Sequence, residues 1–262
     1  MNIIVCIKQV PGSSKVEIDE KTGVMKRTGT EAKMNPYDLY AIETAIYIKD
    51  KTDAKVTAVT MGPDQTADII KEAYMMGVDD GYIFSDRKFA GADVLATSYT
   101  ISQGISAIGR YDLIICGKQT TDGDTAQVGP AIAEYLDIPH VAWVKKIVAV
   151  SKEQITVEQD LGHITQVNQI QTPCLITVEK GIFEPRLPSY RLKLATANRK
   201  VNRLTFSDYA DQDDGKYGLK GSSTNVERTW VPEACCDQIY LDGDSETIAT
   251  ALFEVLKSQK FI

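Results

Sequence analysis

The sequence contains few residues of the kinds that form metal sites or disulfide frameworks. It has two histidines and five cysteines, and no two cysteines form a CxxC pair. Zinc and iron–sulfur sites need closely spaced thiolates or imidazoles, so neither kind of site is indicated. The cysteines that lie within apolar strand-like runs are expected to be reduced, buried thiols: Cys6, Cys116 and Cys174. The remaining two, Cys235 and Cys236, are adjacent.

The chain also lacks an excess of positive charge and a long apolar run. Its formal net charge over 262 residues is −7, whereas nucleic-acid-binding proteins usually carry a basic surface, so nucleic acid is not expected as a partner. No stretch approaches the ~20 apolar residues of a membrane-spanning helix. The apolar run Ile3 to Ile7 is shorter than the core of a signal peptide. We expect a cytoplasmic protein without a membrane span.

Several short enzyme motifs are missing. The sequence contains no GxxxxGK[ST], GxGxxG, GxSxG or HExxH, which removes support for a P-loop kinase, a standard dinucleotide dehydrogenase, a serine hydrolase and a zinc protease. His140 follows Pro139 at a predicted strand start and His163 lies in a turn-rich stretch, so both are interpreted as surface or structural residues. No catalytic residue is assigned, and the chemistry is expected to belong to a cofactor.

Short apolar runs alternate with amphipathic segments over the first half of the chain. This alternation predicts a doubly wound, mostly parallel sheet of the Rossmann-like α/β class. Asn35 is predicted as the N-cap and Pro36 as the first residue of a helix that runs to about Asp50, and Gly77 as the residue that ends the next helix. A third helix is predicted between Ala92 and Gly109. Its buried face is predicted to carry Leu95, Ser98, Ile101, Ile105 and Ile108.

The alternation of apolar runs and amphipathic segments ends after the fourth strand–helix unit. A charged stretch from Ser13 to Lys33 predicts a hairpin arm early in the chain. Later, strand-like runs at 144–150, 154–158 and 163–170 predict a small antiparallel addition, and Cys174 to Val178 is predicted to return to the main sheet. We therefore assign residues 1–205 to one α/β nucleotide-binding domain and residues 206–262 to a connector and a C-terminal helical arm.

Within that last segment, Asp208 to Ser223 is rich in Asp, Gly and Lys and predicts a loop or weakly ordered connector. Ser245 to Gln259 predicts a helix with Ser245 as N-cap. Its apolar face comprises Ile248, Leu252, Val255 and Leu256. Such an arm either docks on a partner or packs back on its own domain.

The most informative segment is the polar loop Gly117 to Pro130, which joins the apolar strand Tyr111 to Cys116 to a helix. Asp124 and Gln127 have the spacing of a capping box, and a helix that begins after a strand directs backbone N–H groups and the positive end of its dipole at the sheet edge. The pattern predicts a phosphate site. The alternative is an ordinary capped loop.

This loop resembles the adenine-nucleotide loop of the β subunit of electron transfer flavoproteins. Four further segments occur in the family's order and at similar spacing, so that the resemblance covers roughly residues 1 to 200: Val5 to Pro11, Met34 to Asp38, Ala58 to Pro63 and Glu184 to Arg186. The resemblance implies the adenine nucleotide alpha hydrolase-like form of the α/β fold. It also implies a nucleotide bound over the carboxyl ends of the strands.

The family's nucleotide contacts can be transferred to positions that match its motifs. They fall on the following residues: Cys6, Asn35, Pro36, Tyr37, Asp38, Met61, Gly117, Lys118, Gln119, Thr120, Thr121, Asp122, Gly123, Asp124, Thr125, Ala126, Gln127 and Val128. Asn35 has a competing explanation, since capping a helix could be its only role. Met61 departs from the small residue of mitochondrial members, so its backbone is the better match.

Two kinds of β subunit exist in the family. One holds AMP as a structural element. The other holds FAD that takes a hydride from NADH and bifurcates the electrons, one to the α-subunit flavin and an acyl-CoA dehydrogenase, the other to ferredoxin or flavodoxin. Gly123 replaces a third acidic residue of mitochondrial members and leaves room where a pyrophosphate would extend, which favours FAD, with AMP as the alternative. An unrelated adenine-nucleotide-binding protein is a further alternative.

A second candidate segment has the composition of a docking surface, because prolines stiffen it and apolar anchors lie beside arginines. It comprises Glu184, Pro185, Arg186, Leu187 and Tyr190. The resemblance implies that this loop reaches the dehydrogenase, and that the C-terminal arm grips the α subunit of a heterodimer. Tyr190 replaces a leucine anchor of mitochondrial members. Without the resemblance, a loop that covers the sheet would explain the segment as well.

Overall fold

The computed structural model of the chain describes residues 1–12, 17–18, 25–26, 32–227 and 240–262. The adjacent Cys235 and Cys236 lie outside the described residues, as does most of the predicted hairpin arm. Two short pieces of that arm, β3 (Glu17–Ile18) and β4 (Met25–Lys26), pair antiparallel. On either side of them, β2 (Gln9–Pro11) pairs antiparallel with β5 (Ala32–Met34).

Within the described residues, nine strands form one main sheet. In chain order they are β1 (Asn2–Cys6), β6 (Lys55–Met61), β7 (Asp80–Phe84), β8 (Leu113–Gly117), β9 (His140–Val150), β10 (Gln154–Asp160), β11 (Thr165–Gln171), β12 (Cys174–Val178) and β13 (Asn202–Leu204). Their spatial order is β11-β10-β9-β12-β8-β1-β6-β7-β13. In this spatial order, every neighbouring pair in the run β9-β12-β8-β1-β6-β7-β13 is parallel. The two remaining pairs, β11 with β10 and β10 with β9, are antiparallel.

Seven α-helices lie in the described residues. Their bounds are α1 (Pro36–Thr52), α2 (Ala67–Met76), α3 (Val94–Ile108), α4 (Val128–Tyr135), α5 (Tyr190–Ala195), α6 (Gly218–Gly221) and α7 (Ser245–Ser258). Short 3₁₀ helices lie at Asp64–Thr66, Arg87–Phe89, Phe206–Asp208 and Asp214–Lys216.

Helices cover both faces of the sheet because its central strands are apolar on both sides. All five residues of β12 are buried. On one face, Ile42 and Ile46 of α1 and Ile70 of α2 pack in the larger core. On the other face, Ile105 of α3 and Ile132 of α4 pack in a second core. The predicted doubly wound, mostly parallel sheet is confirmed.

The helix boundaries agree in part with the sequence patterns. Pro36 is the first residue of α1, and Gly77 ends α2 with a left-handed φ of 113°. The predicted face of α3 is wrong at one position. Leu95 is 43% exposed, whereas Ser98 and Ile105 are fully buried. Leu95 lies in the first turn of the helix.

The antiparallel addition is continuous with the main sheet. The first residues of β9 pair in parallel with β12, and its later residues pair antiparallel with β10. β9 begins at His140, as predicted, and His140 is exposed. The antiparallel strands therefore extend one end of the sheet, and Ile155 and Val157 of β10 are buried in the larger core.

Of the two alternatives predicted for residues 208–223, the structure shows a loop with short helical turns, packed on the domain, and not a weakly ordered connector. Tyr209 and Tyr217 are 3% and 1% exposed, and both rings pack against Phe89. Phe206 meets the Tyr217 ring edge to face, with centroids 5.2 Å apart. The aromatic side chains anchor a backbone that is otherwise polar. The segment covers the α3 side of the sheet, next to β13 at the edge.

The predicted terminal helix is present as α7, but its N-cap is Asp244 and not Ser245. The Asp244 side chain accepts a hydrogen bond from the backbone N–H of Thr247 at 2.9 Å. No residue of α7 is buried. Leu252, Phe253 and Val255 are 48%, 51% and 46% exposed, so the helix presents an apolar surface to solvent. The division of the chain after residue 205 remains a prediction.

Candidate functional site

The candidate site lies where the direction of the sheet order reverses. From β1 the chain builds outward through β6 and β7 on one side, and then returns to add β8 and β12 on the other side. The segments that follow β1 and β8 leave from the same carboxyl edge, because these two strands are parallel neighbours. Open α/β sheets bind ligands at this kind of position. The fold therefore brings the segments at Cys6, Asn35 to Asp38 and Gly117 to Val128 to one edge.

One buried carboxylate joins these three segments. Asp38, in the first turn of α1, is 4% exposed. Its Oδ2 accepts the backbone N–H of Lys8 at 2.7 Å, and its Oδ1 accepts the side-chain amide of Asn35 at 2.9 Å. The backbone of Gly117 lies against the same carboxylate and acts to lower its pKa. Burial raises the pKa of Asp38 to about 7, although these hydrogen bonds act in the opposite direction.

Asn35 holds the loop that follows β8. It occupies the N-cap position of α1, but its side chain makes no capping hydrogen bond. Instead its Nδ2 also donates to the carbonyl of Gln119 at 2.9 Å, and its Oδ1 accepts the N–H of Thr121 at 3.3 Å. The alternative that Asn35 only caps the helix is therefore wrong. Its buried amide fixes the path of the loop relative to α1.

Gly117 is required by this arrangement. A Cβ at this position would lie 2.5 Å from Asp38 Oδ1, 2.8 Å from the carbonyl carbon of Tyr37 and 2.9 Å from the Tyr37 oxygen. Two of these atoms are backbone and cannot rotate away. The glycine therefore allows β8 and the start of α1 to approach each other at the site.

The predicted capping box between Asp124 and Gln127 is wrong. Asp124 has a left-handed φ of 52°, and its carboxylate accepts a hydrogen bond from the side-chain amide of Gln119. Gln127 occupies the N-cap position of α4 without a capping hydrogen bond. The loop turns back on itself before α4 begins, which separates Asp124 from the helix. Ala126 also has a left-handed φ, of 55°, a conformation that costs an L-residue about 1–2 kcal/mol.

The start of α4 still suits an anion. Because Gln127 does not cap the helix, the first backbone N–H groups of α4 donate no hydrogen bond to its side chain, and they carry the positive end of the helix dipole. Gly129 packs this turn tightly on β12, since a Cβ there would lie 2.6 Å from Thr177 Cγ2. Strand packing therefore fixes the helix start.

Gly123 provides a test of whether a larger ligand fits. A Cβ at Gly123 would meet only Thr120 Oγ1, at 3.5 Å, and its φ is not in the left-handed region. Neither packing nor backbone conformation within the chain therefore requires glycine here. The space beside it is open, as the backbone of a diphosphate-binding loop needs. The residues present fit an adenine nucleotide with one phosphate or two.

Sequence reasoning predicted Asp122 as a site residue but missed its partner Lys8. Lys8 Nζ contacts both carboxylate oxygens of Asp122, at 2.7 and 2.6 Å. Burial raises the pKa of Asp122, but the hydrogen bond and charge of Lys8 outweigh it and leave that pKa below its usual value. Lys8 could have been identified from the sequence, because it lies in the matched segment Val5 to Pro11, two residues beyond the end of β1. An exposed pair of this kind contributes at most about 1 kcal/mol.

Trp143 and Glu179 were also missed. Lys118 Nζ donates to Glu179 Oε1 at 2.7 Å and lies 5.2 Å from the centroid of the Trp143 ring. Trp143 has a left-handed φ of 58°, and its N–H donates to Thr177 Oγ1 at 3.0 Å. This conformation follows from the irregular pairing of β9 with β12, which no sequence pattern predicts. The half-exposed indole lies beside the loop.

The remaining predicted site residues lie at the strand ends. Cys6 pairs in register with Cys116 of β8. The contact with the Cys6 thiol, together with burial, raises the pKa of the Cys116 thiol well above its usual value. Cys116 and Cys174 are buried free thiols, as predicted, but Cys6 is only partly buried. Met61 ends β6, and its partly buried side chain packs on the second core.

The predicted docking segment is tied to α1. Arg186 donates from Nε and Nη2 to the Glu43 carboxylate at 2.8 Å each, and its backbone N–H donates to Glu43 Oε2 at 3.0 Å. Burial raises the pKa of Glu43, but the hydrogen bonds from Arg186 outweigh it and lower that pKa overall. Leu187 and Tyr190 are 86% and 72% exposed. Arg186 therefore anchors the segment, and the two apolar side chains project into solvent.

Comparison with known proteins gives the family. A family model described as the electron transfer flavoprotein domain matches residues 22–209. The chain belongs to the electron transfer flavoprotein family. It is 39% identical over its whole length to the electron transfer flavoprotein subunit beta of Megasphaera elsdenii, and 40% identical to that of Thermoanaerobacterium thermosaccharolyticum, with 100% of each relative covered. The caffeyl-CoA reductase-Etf complex subunit CarD of Acetobacterium woodii is 37% identical, again with both chains fully covered.

Membership among the electron transfer flavoprotein β subunits confirms the resemblance drawn from the motifs. It also removes the alternative of an unrelated adenine-nucleotide-binding protein. β subunits of electron transfer flavoproteins pair with an α subunit. Among the residues that the structure describes, no helix combines the length and apolar character that crossing a membrane requires.

Proposed function

We propose that this electron transfer flavoprotein β subunit binds FAD at the site formed by Asn35, Asp38 and residues 117–128. In this proposal it works in a heterodimer as an electron-bifurcating flavoprotein. When bound, FAD would supply the hydride acceptance from NADH and the separation of the two electrons. One electron would pass to the α-subunit FAD and an acyl-CoA dehydrogenase, and the other to ferredoxin or flavodoxin.

The observation that carries the choice of FAD is the open space at Gly123. A Cβ there would meet only one atom of the chain, at 3.5 Å, although the neighbouring glycines 117 and 129 are both enclosed. A glycine that the chain itself does not need is explained by a ligand that approaches the backbone closely.

The chain's own residues would bind and orient the nucleotide. Asn35 fixes the loop through Gln119 and Thr121. Lys118 is held by Glu179 at the edge of the site, and Trp143 offers an aromatic face beside it. An indole ring and an ammonium group are suitable neighbours for a planar ring system and for negative charge. No catalytic residue is assigned.

The exposed apolar surfaces support the proposed partners. α7 carries Leu252, Phe253 and Val255 at the surface, which suits docking on the α subunit. Leu187 and Tyr190 project from a segment that Arg186 fixes to α1, which suits docking of the dehydrogenase. The CarD relative is named as a subunit of a caffeyl-CoA reductase-Etf complex, and by analogy we propose an enzyme that acts on acyl-CoA as the partner.

The alternative is a non-bifurcating subunit with structural AMP. The same site would hold AMP, because the loop that Asn35 and Asp38 shape and the uncapped start of α4 suit a single phosphate as well. In that case Gly123 would border empty solvent, and the glycine would have no explanation. The two possibilities differ in the identity of one bound molecule.

The test is to co-express the chain with its α subunit, denature the purified heterodimer, and identify and count the released nucleotides. About two FAD per heterodimer are expected for a flavin in both subunits. One FAD and one AMP would show that the β site is structural and would refute the proposal. As a control, the Gly123→Glu variant should lose the β-site FAD but keep the α-subunit FAD. Equal loss at both sites would point to damage of the whole complex.

A further inference from the structure

Asp38 is the point at which three separate segments of the site meet. Its two oxygens accept hydrogen bonds from Lys8 after β1 and from Asn35 before α1, and the backbone of Gly117 at the end of β8 lies against the same carboxylate. Asn35 then carries the connection to Gln119 and Thr121. A carboxylate in contact with all three segments links the two central strands at the ligand edge.

We propose that Asp38 is a positioning residue for the nucleotide. Its ionised carboxylate holds the loop after β8 in the shape that binds phosphate, and its protonation loosens the loop and weakens binding. This inference rests on the proposed function only in requiring that the site binds a nucleotide. It assigns to Asp38 a role in pH dependence, which a merely structural buried residue would not have.

The hydrogen-bond chemistry supports this role. Each hydrogen bond to Asp38 named above comes from an N–H donor. If Asp38 is protonated, one of its oxygens carries a hydrogen and becomes a donor. That O–H would then face an N–H donor, and the hydrogen bond at that oxygen would be lost. The amide of Asn35 is oriented by Asp38 on one side and by the loop on the other. Loss of the Asp38 contact therefore frees the amide that fixes Gln119 and Thr121.

The surroundings of Asp38 place the protonation of its carboxylate near neutral pH. Lys8 faces it from the segment after β1, and the thiol of Cys116, in contact with Cys6, faces it from β8. Burial raises the pKa of Asp38 to about 7, against the hydrogen bonds from Asn35 and Lys8. The pKa of Cys116 is raised, so this thiol stays protonated at neutral pH, and the lowered pKa of Asp122 keeps that carboxylate ionised.

The size of the pH effect on nucleotide affinity follows from the fraction of the protein in which Asp38 is ionised. If only the ionised form binds, the apparent Kd rises as that fraction falls, by about tenfold at one pH unit below the midpoint. FAD is the better probe because its pyrophosphate does not titrate near neutral pH. The phosphate monoester of AMP has a second pKa near 6, which would add a slope of its own.

The experiment is a titration of the purified, nucleotide-free full chain with FAD, followed by flavin fluorescence between pH 5.5 and 8.5. The wild-type affinity should fall about tenfold from pH 8 to pH 6. Asp38→Asn should bind weakly and without pH dependence. Asp112→Asn is the matched control, because Asp112 Oδ2 accepts the N–H of Asn2 at 2.7 Å at the opposite end of β1. It should keep the wild-type slope.

The outcomes separate this inference from the proposed function. Absence of FAD binding at every pH would refute FAD as the ligand. Binding with no slope in the wild-type protein would refute the role of Asp38, even if the Asp38→Asn variant did not fold. Tighter binding at low pH would also refute it, because that slope indicates direct repulsion between the carboxylate and the phosphates. A slope that persists in Asp38→Asn would assign the titration to another group.

Discussion

Replacing Gly117 by alanine tests the contact between β8 and α1 that shapes the site. The added Cβ would lie 2.5 Å from Asp38 Oδ1 and 2.8 Å from the carbonyl carbon of Tyr37. Because the second atom is backbone, relief requires either a shift of α1 or a shift of the strand end. Overpacking of this kind costs about 1–3 kcal/mol. A lost hydrogen bond to the Asp38 carboxylate adds about 1.5–3 kcal/mol.

We therefore expect Gly117→Ala to lower the free energy of unfolding by about 3–6 kcal/mol. Urea unfolding of the purified chain, followed by circular dichroism, would measure it as a shift in midpoint at constant slope. Gly123→Ala is the matched control in the same loop, since its Cβ would meet only Thr120 Oγ1 at 3.5 Å. That variant should differ from wild type by less than about 1 kcal/mol. A cost for Gly117→Ala below about 1 kcal/mol would refute the close approach of Asp38 to β8.

Further predictions concern the docking segment and the loop. Arg186→Ala should cost about 1–3 kcal/mol at pH 7, because it leaves the Glu43 carboxylate partly buried and unpaired. The folded state lowers the pKa of Glu43 below its ordinary value of 4.5. The stabilisation by the Arg186–Glu43 pair is therefore present above pH 4.5 and is lost as the pH falls through the lowered pKa. Urea midpoints at several pH values would measure this loss, and a cost of Arg186→Ala that is the same at every pH would contradict the ionised pair. Tyr190→Ala should slow electron delivery to the acyl-CoA dehydrogenase while leaving flavin content unchanged, and loss of flavin would contradict a docking role. Lys8→Met should change unfolding by at most about 1 kcal/mol but weaken nucleotide binding, as measured by FAD titration, since it frees Asp122 beside the phosphate site.

The order of strands and helices could be predicted from the sequence because each depends on local patterns. The apolar run that became β8, the proline that begins α1 and the glycine that ends α2 each act within a few residues. These features fix the parallel sheet, and the order of strands then fixes the edge at which the site lies.

The contacts within the site could not be predicted because they join residues far apart in the chain. Asn35 bonds to Gln119 across 84 positions, and the Asn35 pattern is the same whether its side chain caps a helix or holds a loop. The left-handed conformation of Trp143 follows from the irregular pairing of two strands. The polar segment after Leu204 folds because of its aromatic residues, whose spacing follows neither helix nor strand periodicity.

α1 connects the two proposed functional surfaces of the molecule. Asp38 in its first turn lies at the proposed nucleotide site, and Glu43 and Asp50 farther along the helix bind Arg186 of the proposed docking segment. The five positions from Asp38 to Glu43 rise about 7.5 Å along the helix, so α1 sets the spacing between the proposed nucleotide site and the proposed docking segment. Each inserted or deleted residue would rotate one end by about 100° against the other. Keeping both contacts in phase therefore requires a fixed number of residues between Asp38 and Glu43.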